Sequence, residues 1–228
     1  MTDQAIATAE TFGLDIELER LAVSKAWQAI PLLGPQQYLA LNLGPRALVE
    51  LASRANTTPD LPLSQLVIEV TEHSAVDSYA ALHRELNPLR ERGLRVAVDD
   101  AGAGYASLRH VLELRPDFIK VDRSLIDGIS SDHARRVAVS GFLSLALDLG
   151  STVVAEGVER AADLRAVRDL GLHAAQGYLL GRPTTSLNSL RRWIGPRAGL
   201  HRAAPAHLAS AASRRRRASV SVLANGAG

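Results

Sequence analysis

At 228 residues, with 46% hydrophobic and 22% charged side chains, the chain has the size and composition of one globular domain with a full hydrophobic core. Aromatics are only 4% and cysteine is absent, so Leu, Val, Ile and Ala must build that core, and disulfides, thiolate metal sites and cysteine nucleophiles are excluded. The formal net charge of +2 conceals a division: nine arginines lie from Arg182 onward with no acid among them, so 17 basic groups face all 24 acidic ones in the body before it, a net charge of about −7 that argues against a groove tracking nucleic acid.

The first fourteen residues carry Asp3 and Glu10 and no basic-then-apolar pattern, and no apolar run approaches the ~18 residues of a membrane helix; a cytoplasmic protein without a membrane span is expected. From Asp15 to Ile30 the apolar positions Leu18, Leu21, Ala22, Ala26, Ala29 and Ile30 follow helical spacing, with Asp15 as N-cap, until Pro31–Pro35 breaks the pattern. Tyr38–Leu43 reads as a buried strand, Pro45 opens a short helix, and 53–62 is a loop. Leu66–Val70 is a second strand, followed by a helix over Ser74–Arg92 that is kinked at Pro88 and stopped by Gly93. Leu94–Val98 is a third strand, ending in Asp99-Asp100 and a glycine-rich loop, and Phe118–Val121 is a fourth. A helix over His133–Leu149 capped by Gly150 precedes a fifth strand at Thr152–Ala155; a helix over Glu159–Leu170 capped by Gly171 precedes a sixth around His173–Tyr178.

Strands alternating with helices imply right-handed βαβ units and a parallel sheet, and continuous apolar strands imply that both sheet faces are covered. The expected fold is therefore an α/β, TIM-barrel-like (β/α) parallel barrel. A closed barrel needs eight units and about 250 residues. Here about six units fit into residues 1–195, so an incomplete barrel is expected, with its first strands lacking. Residues 196–228 lose all periodicity, are rich in Ala, Ser and Arg, and read as a disordered tail.

Polar residues interrupt the apolar strands at one end. Asn42 lies in LALNL, Glu69 in LVIEV, Asp99 and Asp100 after VAV, Lys120 and Asp122 in FIKVD, Glu156 after VVA, and Gln176 in AAQGY. In a barrel that end is the rim where ligand and catalytic groups gather. Four or more carboxylates with one lysine cannot neutralise one another, whereas divalent cations would. An all-oxygen donor set of Asn42, Glu69, Asp99, Asp100, Asp122 and Glu156 favours Mg²⁺ or Mn²⁺ over zinc. Two such ions would suit a phosphodiester substrate, with Lys120 orienting the attacking water or stabilising developing charge.

Taken together, LNLGP (41–45), EVTE (69–72), DDAGAGYASL (99–108), IKVDRSLI (119–126), VVAEGVE (153–159) and QGYLLGRP (176–183) resemble the motifs of the EAL family of cyclic-di-GMP phosphodiesterases. The resemblance implies a modified TIM barrel that hydrolyses cyclic di-GMP to linear pGpG with Mg²⁺ or Mn²⁺. It implies Asn42, Glu69 and Asp99 as metal ligands, Asp100 and Asp122 at the second metal, Lys120 acting on the water, Glu156 and Gln176 completing the site, and Glu72 anchoring the loop after Asp100. Arg182 takes no chemical role. Two departures stand out: the Glu-Ala-Leu motif itself would precede Met1, and the family's DDFGTGYSSL is here DDAGAGYASL. The first implies that a homodimer or a partner chain completes the barrel. It also leaves open an alternative, a catalytically impaired EAL-like module that binds cyclic di-GMP or a protein partner in signalling.

Overall fold

The structure, a computed structural model, describes residues 11–12, 14–34, 37–44, 48, 51–52, 61–70, 76, 78–104, 106–172, 174–182 and the backbone of 221–223. Six parallel strands form a half-barrel: β1 (Tyr38–Asn42), β2 (Leu66–Val70), β3 (Arg95–Ala101), β4 (Phe118–Val121), β5 (Thr152–Ala155) and β6 (Ala174–Ala175), each hydrogen-bonded to the next in chain order. A short β7 (Ser221–Leu223) runs parallel to β1 on its other edge, and among the described residues the sheet is open between β6 and β7. The rest of the expected tail (196–220 and 224–228) lies outside the described residues, as do the helix expected from Pro45, except for isolated positions, and the loop at 53–60.

The helices are α1 (Asp15–Trp27), α2 (Tyr79–Glu91), α3 (Ala106–Leu114), α4 (Arg123–Ile126), α5 (His133–Leu149) and α6 (Ala161–Asp169). Two of them, α3 and α4, were not expected from the sequence. Helix α2 begins at Tyr79, later than the spacing predicted, because the Ser78 side chain accepts a hydrogen bond from the Ala81 amide and starts the helix there. It contains Pro88, and its end is closed as expected by Gly93 and by the Leu94 amide donating to the Leu89 carbonyl. Strand β3 runs through Asp99-Asp100 to Ala101 rather than stopping at Val98.

The two-residue period of the strands divides their apolar side chains between two layers. Leu39, Leu41, Leu66, Ile68, Val70, Val96, Val98, Ile119, Val121 and Val153 join the helices' Leu82, Leu86, Leu89, Val111, Leu114, Val139 and Val167 in the main core. The alternate residues Tyr38, Ala40, Val67, Ala97, Phe118 and Val154 form a second, inner cluster. The inward row therefore ends in a polar residue on each strand, over smaller or aromatic ones: Tyr38, Ala40, Asn42 on β1; Val67, Glu69 on β2; Arg95, Ala97, Asp99 on β3; Phe118, Lys120 on β4. At its foot the Arg95 guanidinium lies 4.5 Å over the Tyr38 ring and 5.4 Å over the Phe118 ring, closing the inner layer opposite the charged end.

The turn between α4 and α5 is held by one buried carboxylate. Asp163 accepts hydrogen bonds from the Ser130 amide (3.0 Å), the Gly128 amide (3.4 Å) and Arg160 Nε (2.7 Å). Burial pushes its pKa up, but the Arg160 and backbone hydrogen bonds outweigh that and hold it down at about 2. Replacing Asp163 by Ala strands these donors and is expected to cost about 2–3 kcal/mol, read as a lower urea midpoint with unchanged slope.

Candidate active site

Because parallel strands all point the same way, the polar residues that end β2 to β5 meet at one rim. Lys120 on β4 lies at its centre, 5% exposed. Its Nζ is 2.9 Å from Glu69 Oε1, 2.7 Å from Asp99 Oδ1 and 2.8 Å from Glu156 Oε1, so its three donors meet three carboxylates from three neighbouring strands or strand ends. One ammonium cannot balance three carboxylates. Burial, opposed by Lys120, raises the pKa of Glu69 to about 7 and that of Glu156 to about 8, while the three carboxylates overcome burial to raise that of Lys120.

Glu69 Oε2 is buried with no hydrogen-bond partner. Oxygens of Asp99, Asp100 and Glu156 lie within 4.8 Å of one another. Asp100 reaches that group because β3 shifts register between Val98 and Ala101 and Asp100 takes φ +55°, a left-handed backbone uncommon outside glycine. An orphaned carboxylate oxygen beside a converging carboxylate set is a donor set that fits a hard divalent cation.

The other sequence candidates fall as follows. Asn42 ends β1 opposite Glu69, with an exposed side chain. Asp122 follows β4 but stands outside the converging group; its Oδ1 accepts from the Ser124 amide at 2.9 Å and caps α4. Gln176 lies one residue beyond β6 and lines the cleft over the inner layer with Glu69, Lys120 and Phe118. Glu72 lies outside the described residues.

The loops that carry Glu156 and Gln176 are stitched together. The Val158 amide donates to the Gln176 carbonyl (2.9 Å) and the Gln176 amide to the Ala155 carbonyl (2.8 Å). Gly177 makes this possible, since at φ +155° a Cβ there would collide with the Val158 backbone. Gly177→Ala is therefore expected to separate the two loops and destabilise the fold by about 1–3 kcal/mol, measured as a lower urea midpoint. Arg123 supports the same loop from outside, 3.0 Å from Glu159. Sequence reading missed Arg95, Arg123 and the packing role of Gly177; only the QGY motif hinted at the last.

The sequence profile of the EAL domain family matches residues 1–183. The chain belongs to the EAL domain family. The cyclic di-GMP phosphodiesterase RocR of Pseudomonas aeruginosa is 36% identical over 156 residues, covering 66% of this chain and 40% of that protein. The phosphodiesterase PdeF of Escherichia coli is 30% identical over 196 residues, covering 82% and 26%. Among solved structures, the MucR phosphodiesterase in complex with cyclic di-GMP matches with a TM-score of 0.68 at 31% identity, covering 82% of this chain and 79% of that one. The manganese and cyclic di-GMP complex of Klebsiella pneumoniae BlrP1 matches with a TM-score of 0.64 at 32% identity, covering 78% and 46%. This EAL chain thus spans less than half the length of the RocR, PdeF and BlrP1 chains it matches.

The raised carboxyl pKa values set a sign for the pH dependence of this EAL fold. Between the ordinary value of 4.5 and the folded values of about 7 and 8, the folded chain binds more protons than the unfolded one, so metal-free stability falls as pH rises through that window. Lys120 stays charged throughout and adds no slope. Thermal midpoints in EDTA are expected to drop from pH 5 to pH 8, and the stabilisation by Mn²⁺, which displaces about one proton or more, to grow over the same range. Midpoints independent of pH would contradict this electrostatic picture.

Proposed function

We propose that this chain carries the metal-binding rim of a cyclic-di-GMP phosphodiesterase and takes part in hydrolysis of cyclic di-GMP to pGpG with Mg²⁺ or Mn²⁺. The observation that carries the reading is one lysine shared by Glu69, Asp99 and Glu156, with Glu69 Oε2 orphaned and Asp100 alongside. What supports the choice of substrate and ions is the kinship with RocR and PdeF, named as cyclic di-GMP phosphodiesterases, and with BlrP1 in its manganese complex.

In this reading Glu69, Asp99, Asp100 and Glu156 hold the ions, with Asn42 and Asp122 at their margins. Bound there, the ions would neutralise a phosphodiester and lower the pKa of a water. Lys120, kept protonated by its neighbours, donates hydrogen bonds and offsets negative charge; it does not serve as a base. Gln176 presents an amide to the nucleotide in the cleft, and Glu72 anchors the loop after Asp100.

Among the described residues the half-barrel leaves a sheet edge beyond β6 and a short β7 beside β1, and such edges call for a cover. A homodimer, a partner chain or further sequence of the same protein supplies it. Residues 1–195 form the barrel unit and the Ala/Ser/Arg-rich residues 196–228 a tail that is disordered apart from β7. We place the protein in the cytoplasm, which accords with its lack of cysteine and with the absence, among the described residues, of a helix long and apolar enough to cross a membrane.

The test is conversion of cyclic di-GMP to pGpG by the purified chain with Mn²⁺ or Mg²⁺, with EDTA as control. Conversion that EDTA stops supports the reading. A folded chain that binds Mn²⁺ and cyclic di-GMP without converting it points to the impaired binding module instead.

A further inference from the structure

The loop after Asp100 offers few side chains to hold it: Ala101, Ala103 and Ala106 stand where the resemblance to the EAL motif expects Phe, Thr and a first Ser. Ser107 is the one aliphatic hydroxyl left between Asp99 and Leu108. It is 1% exposed, and it spans the loop from within. Its Oγ accepts from the Gly102 amide at 3.2 Å and donates to the Gly104 carbonyl at 3.1 Å. On the other side of the turn the Ala103 amide donates to the Asp100 carbonyl at 3.1 Å, which closes the chain back on Asp100. Gly102, at φ +100°, packs so tightly that a Cβ would strike Leu125. Asp adopts a left-handed backbone more readily than most non-glycine residues, but at φ +55° Asp100 still depends on the turn after it to stay there.

We infer that Ser107 is the positioning residue that holds Asp100 in the converging carboxylate group, and through it sets the affinity of the Asp100-dependent metal site. The inference rests on the metal-site reading above. Without the hydroxyl, the Gly102 amide and Gly104 carbonyl lose their shared partner, the turn opens, and Asp100 relaxes to an ordinary backbone that takes its carboxylate away from Asp99 and Glu156. The effect is local: the ligands on β2 and on the β5 loop do not hang on this turn.

The test titrates the full chain with Mn²⁺ and follows the free ion by electron paramagnetic resonance, which needs no turnover. The difference between the native chain and Asp100→Ala defines the Asp100-dependent site. Ser107→Ala is expected to weaken that site tenfold or more, to leave remaining Mn²⁺ binding unchanged, and to add nothing in the Asp100→Ala background, since both act on one unit. Ser107→Cys keeps the volume while replacing the hydroxyl with a weak donor and acceptor, and is expected to weaken the same site, which covers the case of an unstable alanine variant. Native-like Mn²⁺ binding by both Ser107 variants while Asp100→Ala loses a site would overturn the inference alone. Equal weakening by Ser107→Ala with and without Asp100 would overturn it too, as general loosening. Native-like binding by Asp100→Ala would instead remove the metal-site reading of Asp100, and the inference with it.

Discussion

Glu69→Gln is expected to abolish any metal-dependent hydrolysis by this chain while leaving the metal-free fold intact. The carboxylate lies one residue before the end of β2 at 3% exposure, one oxygen bonded to Lys120 and the other to nothing. Burial raises the pKa of this carboxyl against the pull of Lys120, so its charged form is disfavoured without metal, and an amide of the same shape is a close substitute. Stability in EDTA at pH 7 should therefore change little. A cation needs the charged carboxylate, so Mn²⁺ stabilisation should vanish and turnover should fall by more than the roughly 10–100-fold that loss of a ligand's supporting partner costs. Initial rates of pGpG formation, measured beside thermal midpoints with and without Mn²⁺, separate the two roles. Unchanged rates in this variant would remove Glu69 from the metal site.

Lys120→Met should act in the opposite order, on the metal-free fold first. The side chain is buried, and its ammonium is the shared partner of Glu69, Asp99 and Glu156. Removing it leaves three buried carboxylates repelling one another, a change that costs about 3–5 kcal/mol when one partner of a buried pair is lost. The loss should be largest at alkaline pH, where the carboxyls cannot escape by protonation. Divalent cations replace the missing charge, so the Mn²⁺-induced rise in midpoint should exceed that of the native chain, while turnover stays lost for want of the donor. Equal stability of the two chains in EDTA would mean that Lys120 does not compensate the rim.

Much of this was legible in the sequence because it is local. Apolar runs of four or five residues such as LVIEV and FIKV, each bounded by turn residues, mark buried parallel strands whatever surrounds them, and all six strands start within a residue of where they are expected. Helix α5 and its Gly150 cap match expectation for the same reason: the Asp132 N-cap and the terminal glycine act within a few residues of the helix they bound. Helices α3 and α4 escaped notice because α4 is a single turn and α3 opens in a glycine-rich stretch that reads as loop.

That every strand brings a polar residue to the same rim is likewise readable from the residues alone, since side chains alternate and parallel strands share a direction. Which of those groups meet depends on contacts between distant parts of the chain. Glu69, Asp99 and Glu156 converge on Lys120, and Asp122 turns away to cap α4, because of the stagger between neighbouring strands and the register shift in β3. Stagger and shift are set by how the sheet curves around its inner layer of Tyr38, Val67, Ala97 and Phe118, residues far apart in the chain. A carboxylate's neighbours, and so its charge, follow from that long-range packing rather than from the residues beside it.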